Sequence, residues 1–278
     1  MDSNPLKQYF RQPAIYIRLP SQGRFWPRDT LDMPPNGELA VLPMTTMDEI
    51  TYRTPDALFN GSAVVSVVQS CCPNILDAWH MPSTDIDTVL VAIRIATYGH
   101  EMDVSTRCPA CETEADYGVD LRRVMEEVSS PDYSKPLQLG DLEIWFRPMS
   151  YANINANNLQ QFEDQKMLAS MQEAEIDDAT RARQLGEILK KITEITTVAL
   201  AQNIAAIKTP TAQVTETDMI SDWLQNVDRN MFNSVRDHVI ELRRKGEIKP
   251  LHIRCGNCGH EHEQAFTMDM TTFFGDAS

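Results

Sequence analysis

The hydrophobic and polar positions of residues 15–99 follow first a strand-like and then a helix-like pattern. Residues 15–19 form a short apolar run that stops at a Pro-Ser-Gln-Gly turn, and residues 38–42 alternate between polar and apolar, so both stretches predict strands. Residues 84–98 carry apolar side chains at three- and four-residue steps, and Gly99 follows where a helix C-cap is expected. The pattern therefore predicts an N-terminal region of mixed α+β structure.

Two helix starts in this region are predicted from their capping residues. Thr45 stands ahead of the acidic residues Asp48 and Glu49, which is typical of a hydroxyl cap followed by an acidic first turn. Thr84 and Asp87 resemble a capping pair at the start of the next helix, although aspartate is shorter than the usual glutamate.

Residues 121–247 show a mostly helical pattern. Residues 138–147 predict a strand, and the helical periodicity then runs from about 154 to 207, with a break expected near residues 176–178. A threonine-rich stretch at 208–217 is predicted as a linker.

Two strand–turn–strand segments flank this helical part, and each of them has a pair of cysteines at its turn. They lie at residues 100–120 and 248–278, and they predict the two halves of a split zinc ribbon. The expected organisation is an N-terminal arm at 1–14, the α+β region at 15–99, the split ribbon, and a helical insertion at 121–247. The predicted fold class is α+β, with a zinc-ribbon-like β element, a mostly helical insertion and an N-terminal mixed region.

Four cysteines form two Cys-x-x-Cys knuckles, at Cys108 and Cys111 and at Cys255 and Cys258. Two residues between thiolates allow both sulfurs to face one point, and four thiolates complete the tetrahedral shell that zinc prefers. A closed shell has no open position for water, so the predicted ion is one structural zinc that ties the two ends of the insertion together.

Other roles for the cysteines are open at this point. Iron also binds sets of four thiolates, so the ligands alone do not exclude it. Two separate redox pairs are the other reading, but no helix pattern opens at Cys111 as a thioredoxin-like motif requires. Cys71 and Cys72 are adjacent, their side chains diverge, and buried free thiols are expected there.

Charge and composition restrict the possible functions. The formal net charge of -15 disfavours a broad nucleic-acid-binding face, because such a surface repels phosphates. No segment has the roughly 20 consecutive apolar residues that a membrane span needs, and residues 1–12 lack a secretory signal pattern, so a reducing cytoplasm is the expected compartment. Common nucleotide-binding and hydrolase motifs do not occur, and we expect no enzymatic activity.

Four aromatic side chains outside the helical pattern are candidates for contact with a partner protein. Phe25 and Trp26 lie between turn signals, and Phe273 and Phe274 lie near the C-terminus. Aromatic residues in such places often anchor an interface. The alternative is that they cover the core of their own domain.

Several short motifs occur in an order that resembles the baseplate hub protein family of T-even-like contractile-tailed phages. They are Leu19-Pro20-Ser21-Gln22-Gly23, the segment from Pro43 to Glu49, the segment from Arg94 to Tyr98-Gly99, and the first cysteine knuckle. The resemblance covers about residues 15–120 and extends to the closing cysteine knuckle, and the long acidic helical insertion is larger than the family leads us to expect.

The resemblance implies a structural or assembly component of a contractile phage tail baseplate, which contacts other baseplate or tail proteins. It implies no catalysis, and it implies a location in the host cytoplasm during assembly and in the virion tail. Two alternatives are open: a zinc-ribbon adaptor that binds nucleic acid, which the acidic balance opposes, and an enzyme whose site the linear sequence does not reveal.

Overall fold

The structure, a computed structural model, describes residues 4–54, 60–173, 178–266 and 273–274. In chain order the strands are β1 (Ile15–Ile17), β2 (Leu39–Val41), β3 (Glu101–Arg107), β4 (Glu114–Asp120), β5 (Leu137–Leu139), β6 (Leu142–Phe146), β7 (Ile204–Lys208), β8 (Gln213–Val214), β9 (Leu251–Arg254) and β10 (Glu261–Gln264). The α-helices are α1 (Thr46–Tyr52), α2 (Ser62–Cys71), α3 (Ser83–Tyr98), α4 (Leu121–Glu127), α5 (Tyr151–Glu173), α6 (Asp178–Gln202), α7 (Thr217–Asn226) and α8 (Arg229–Gly246). The predicted α+β class is confirmed.

The chain divides into two compact units. The first unit contains Met1–Ser130 together with Gly246–Ser278, and the second unit contains Pro131–Lys245. The helix α4 therefore lies in the first unit, whereas the organisation expected from the sequence begins the insertion at residue 121. Each unit has its own sheets: three antiparallel pairs (β1–β2, β3–β4 and β9–β10) in the first, and the antiparallel sheet β5-β6-β7-β8 in the second.

Local sequence determines how the helices of the first unit begin and end. The Thr45 hydroxyl accepts a hydrogen bond from the Asp48 N–H, and the Asp48 carboxylate accepts one from the Thr45 N–H, so the expected cap of α1 is a complete capping box. The expected cap of α3 by Thr84 and Asp87 is wrong. Its N-cap is Pro82, and Thr84 is buried inside the first turn. Gly99 ends α3 with φ 91°, as its position predicts.

Helix α3 is the centre of the first unit. Val89, Val91, Ala92 and Ile93 have no exposed surface, so the helix is covered on more than one face. Strands β1 and β2 and helix α2 pack around it, with α2 contributing its valines. A helix buried in this way gives the unit a rigid element on which flanking segments can be fixed.

The second unit corrects two expectations from the sequence. The single strand expected at 138–147 is a hairpin of β5 and β6, because Gly140 turns the chain with φ 60°. The helix expected to continue to residue 207 ends at Gln202, and Ile204–Lys208 is a central strand paired with β6 and β8. The expected linker at 208–217 contains β8. The expected break near 176–178 falls mostly outside the described residues, between α5 and α6.

The core of the second unit lies between its sheet and its helices. Its buried members are Ile144, Phe146, Leu200, Ala201, Ile204, Ile207, Ile220, Leu224, Val235 and Leu242. In the described part of the chain, no helix is both long enough and apolar enough to cross a bilayer.

Candidate metal centre

The cysteine knuckles lie at the tips of two antiparallel hairpins. Strands β3 and β4 pair over seven residues, from Glu101 opposite Asp120 to Arg107 opposite Glu114. Strands β9 and β10 pair over four residues. A side-chain hydrogen bond of 2.6 Å from Thr106 on β3 to Gln264 on β10 joins the two hairpins. The hairpins therefore present their turns to each other in the manner of a zinc ribbon.

The two knuckles have the same backbone hydrogen bonds. In the first, the Cys108 N–H donates to the Thr113 carbonyl, and the Glu112 N–H donates to the Cys108 carbonyl, at 3.0 and 2.8 Å. In the second, Cys255 donates to the His260 carbonyl and accepts from the Gly259 N–H, at 2.8 and 2.9 Å. In both knuckles these bonds join the first cysteine to the residues four and five positions after it. Each Cys-x-x-Cys stretch therefore folds into the same tight turn.

One position in each turn has a left-handed backbone. Gly259 has φ 74°, and the equivalent residue of the first knuckle, Glu112, has φ 60°. Glycine adopts this conformation without cost, whereas a side chain there is strained by about 1 kcal/mol. Arg107 contacts Glu112 through the Glu112 carbonyl at 3.1 Å and its carboxylate at 2.8 Å, and these contacts help to hold the strained turn.

The four sulfur atoms lie together although their knuckles are far apart in the sequence. All four are within 4.8 Å of one another. The Cys108 and Cys258 sulfurs are 3.7 Å apart, and so are those of Cys111 and Cys255, which are 144 positions apart in the chain. Sulfurs about 2.3 Å from a tetrahedral zinc are about 3.8 Å from each other. The cluster therefore has the size and the donors of a four-thiolate metal site.

The acidities of these thiols depend on the knuckle backbone and on their neighbours. Hydrogen bonds with the hydroxyl and backbone of Thr113 lower the pKa of Cys111 to about 5, and backbone N–H groups of its own knuckle lower the pKa of Cys255. The backbone N–H of His260 favours the Cys258 thiolate, but hydrogen bonds with other cysteines and desolvation raise the pKa of Cys258 to about 12. Neighbouring thiolates repel each other, and a bound cation would remove that repulsion.

Groups around the cluster connect one knuckle to the other. The Asn257 side-chain amide donates to the Cys111 sulfur at 3.7 Å and to the Thr113 hydroxyl at 3.1 Å, so it bridges the two turns. Cys108 and Cys255 are buried, whereas Cys258 is exposed. Four sulfurs with a second layer of hydrogen bonds suit a structural ion, because they leave no coordination position for substrate.

The other two cysteines do not belong to this cluster. Cys71 and Cys72 are free and have no exposed surface, as expected from their sequence context. Burial raises the pKa of Cys71 to about 12, despite an Arg11 guanidinium 3.8 Å from its sulfur, and burial raises the pKa of Cys72 further. Both thiols are therefore core side chains.

The candidate partner-binding aromatics have two different environments. Phe25 is 40% exposed, and its backbone has φ 72°. Trp26 is half-buried, and its indole N–H donates to the Asp85 carboxylate at 2.8 Å. Phe273 and Phe274 are 1% and 0% exposed, so these two rings lie in the core of the first unit, which corresponds to the alternative reading of the sequence.

A buried arginine on α3 holds the Phe273–Phe274 segment. The Arg94 guanidinium donates to the Phe273 carbonyl at 2.5 Å and lies 5.5 Å from the centre of the Phe273 ring. The hydroxyls of Tyr52 and Tyr98 both donate to the Phe274 carbonyl. Sequence reasoning missed this contact. The signal was an arginine within the apolar run of α3, where a charge is costly unless it has a partner.

A buried carboxylate fixes the Leu-Pro-Ser motif in a similar way. Asp85 has no exposed surface, and it accepts hydrogen bonds from the Ser21 N–H at 2.8 Å, the Ser21 hydroxyl at 2.5 Å and the Trp26 indole. Desolvation nevertheless raises the pKa of Asp85. The motif residues Ser21, Arg94 and Tyr98 therefore hold loops and termini against α3, and none of them is part of the sulfur cluster.

Comparison with known proteins identifies a family for this chain. The family model described as T4 bacteriophage base plate protein matches residues 42–275. No curated protein matches the chain, and no solved structure does either. The matched range contains both cysteine knuckles and the whole second unit, and it begins after the Leu-Pro-Ser motif. Because the match covers well over half of the 278 residues, the chain belongs to the T4 bacteriophage base plate protein family.

Proposed function

We propose that this protein is a structural or assembly component of the baseplate hub of a contractile phage tail. It acts through contacts with other baseplate or tail proteins and catalyses no reaction. The observation that carries the proposal is the family match over residues 42–275, which spans both units. In the structure the Pro-x-x-x-x-x-Glu and Arg-x-x-x-Tyr-Gly motifs supply capping and packing residues, and the Cys-x-x-Cys motif supplies two of the clustered sulfurs. These structural roles agree with a scaffold.

The hub position is tested by locating the protein in phage particles. Antibodies against the protein should label the baseplate end of purified tails, and the protein should co-purify with tail proteins from infected cells. Detection in assembly intermediates but not in purified virions would support an assembly factor that leaves the particle. Failure to find it in virions and in tail intermediates alike would refute the proposal.

We further propose that one structural zinc ion binds Cys108, Cys111, Cys255 and Cys258. The support is chemical: four sulfurs at tetrahedral spacing, backbone amides that favour thiolates, and a closed shell. The ion would offset the mutual repulsion of the thiolates and hold the two hairpins together. Elemental analysis of protein purified without chelator should give one zinc per chain. Iron in its place would colour the protein, and its visible absorption would identify it.

Partner recognition by exposed aromatics is proposed for Phe25 and Trp26, the two candidates that keep accessible surface. Their loop is held by the Asp85 carboxylate, which gives it a fixed shape before any partner binds. Nucleic acid is a poor candidate for the partner, because the chain carries a formal charge of -15. Phe25→Ser should weaken co-purification with tail proteins while leaving the melting temperature within a few degrees.

A further inference from the structure

The second unit contains an open groove of about 390 Å³ between three of its helices. Helices α5, α6 and α8 line it, each with about one and a half to two of its turns. The apolar side chains of its lining, which we call its floor, include Ile154 of α5 and Ile195 of α6. Uncharged polar side chains such as Asn157 and Gln161 also line it, and its α8 wall carries Ile240, which is 55% exposed. An isoleucine this exposed beside an apolar floor marks a surface suited to contact with another protein.

The charge of the groove is opposite to that of the chain. The described residues that line it include two arginines, Arg236 and Arg243, and no carboxylate. The whole chain has 40 acidic residues against 25 basic ones. Arg236 forms an ion pair with Asp237, whose carboxylate is 2.8 Å away and partly neutralises its charge. Arg243 is therefore expected to contribute most of the local positive potential. Asp164, one turn beyond the groove on α5, is paired with Lys191 at 3.1 Å.

The secondary structure of the walls indicates what can bind there. An extended peptide that binds by strand addition needs a free strand edge for its backbone N–H and C=O groups. All three walls here are helices whose interior backbone groups bond within the helix. A helix satisfies its own backbone and needs only side-chain contacts. Along α8 the lining runs from Arg236 to Arg243, a length of about 10 Å, or two helical turns.

From these observations we propose that the groove binds an acidic amphipathic helix of a partner protein. The helix lays aliphatic side chains at i, i+3 or i+4, and i+7 onto the floor beside Ile240, and its glutamate or aspartate side chains reach Arg243 and Arg236. The site concerns the second unit alone and does not involve the cysteines. Its failure is therefore distinguishable from a failure of the proposed zinc site or of the proposed location in the tail.

The test uses the full-length, metal-loaded chain and two fluorescent peptides of about four helical turns. The peptides share their leucine positions and differ only in having glutamate or lysine at the polar positions. Because the chain as a whole is acidic, non-specific attraction favours the lysine peptide. Fluorescence anisotropy should nevertheless show that the glutamate peptide binds at least about tenfold more tightly, with an affinity that falls as salt rises.

Variants locate the binding and provide controls. Ile240→Ser and Arg243→Glu should each weaken binding of the glutamate peptide by about fivefold or more. Two control variants should change the affinity for this peptide less than about twofold. Arg244→Glu alters the adjacent exposed arginine, which lies outside the groove, and Met219→Ser alters an exposed apolar residue on α7. All four positions are exposed, so the fold should be retained.

Three outcomes would overturn the proposal. The first is equal binding of the two peptides or a preference for lysine, and the second is an equal loss of affinity in Arg243→Glu and Arg244→Glu. The third is a concentration-dependent dimer of the chain that Ile240→Ser dissolves, which would show that a second copy covers the groove. Sedimentation of the chain without peptide distinguishes this last case.

Discussion

Replacing Cys255 with serine tests whether the distant knuckles are tied together by a metal. The serine hydroxyl is a poor ligand for zinc, so three thiolates are left, one of them the exposed Cys258. We expect the variant to lose its metal during purification. The hairpins β3–β4 and β9–β10 would then be joined mainly by contacts such as the Thr106–Gln264 hydrogen bond.

The expected loss of stability follows from the loop that the proposed zinc ion would close. Cys111 and Cys255 are 144 positions apart, and if all of that chain unfolds, a cross-link contributes about 5 kcal/mol in the chain-entropy treatment. If the second unit stays folded when the first unfolds, only roughly 28 residues of the loop are flexible, and the contribution falls to about 3.5 kcal/mol. Both values are a large part of the total stability of a domain.

The measurement combines metal content with urea unfolding followed by circular dichroism. The variant should contain less than one-tenth of an equivalent of zinc, and the transition of the first unit should shift by about 3.5 to 5 kcal/mol. A chelator added to the unchanged protein should produce a similar shift. Cys71→Ser is the matched control, because its thiol is outside the cluster; it should keep its zinc and lose only about 1–2 kcal/mol from local burial of a hydroxyl.

Retention of a full equivalent of metal by Cys255→Ser would show that this sulfur is not a ligand. An unchanged unfolding transition in a metal-free variant would show that the metal does not tie the chain. Either result would refute the reasoning from sulfur geometry to stability.

Three further changes test other parts of the structure. Glu112→Gly should stabilise the first unit by up to about 1 kcal/mol, as measured by urea unfolding, because the residue has φ 60°. Burial and the nearby Glu247 raise the pKa of Asp87 to about 6. Ionisation of this carboxyl therefore lowers the stability of the fold as pH rises from about 4 through 6. Asp87→Asn removes the charge, so it should raise the melting temperature at pH 8 but not at pH 4. Arg94→Ala should release the Phe273 segment, which limited proteolysis would detect as faster C-terminal cleavage.

Each of these three predictions has a result that would contradict it. A loss of stability in Glu112→Gly would mean that the Arg107 contacts outweigh the backbone strain. An equal gain for Asp87→Asn at both pH values would exclude ionisation as its cause. Unchanged cleavage in Arg94→Ala would show that the hydroxyls of Tyr52 and Tyr98 hold the segment without the arginine.

Short-range patterns in the sequence predicted the features that depend on neighbouring residues. The cap at Thr45, the end of α3 at Gly99 and the tight cysteine turns all involve residues at most five positions apart, and the structure has each of them. Clustering of Cys108 with Cys258 depends on a long-range contact. It was nevertheless predictable, because a tetrahedral zinc site takes four thiolates and each Cys-x-x-Cys pair supplies only two.

Features that depend on tertiary packing were not predictable in the same way. The apolar stretch Ile204–Lys208 continues the helical pattern of α6, but β6 and β8 offer it hydrogen-bond partners on both sides, and it becomes a strand. The Ser21–Asp85 pair is 64 positions apart, and nothing in either local sequence indicates the other. Thr84 resembles a cap from its sequence, but it is buried in the packed first turn of α3.

The separation of 144 positions from Cys111 to Cys255 also determines the order of events during synthesis. The first knuckle leaves the ribosome many seconds before the second, at typical rates of about 5–20 residues per second. During that interval it has only two thiolates and cannot form a four-coordinate site. The proposed zinc ion would therefore bind tightly only after translation has passed Cys258, and any product that stops earlier would lack the set of four thiolates.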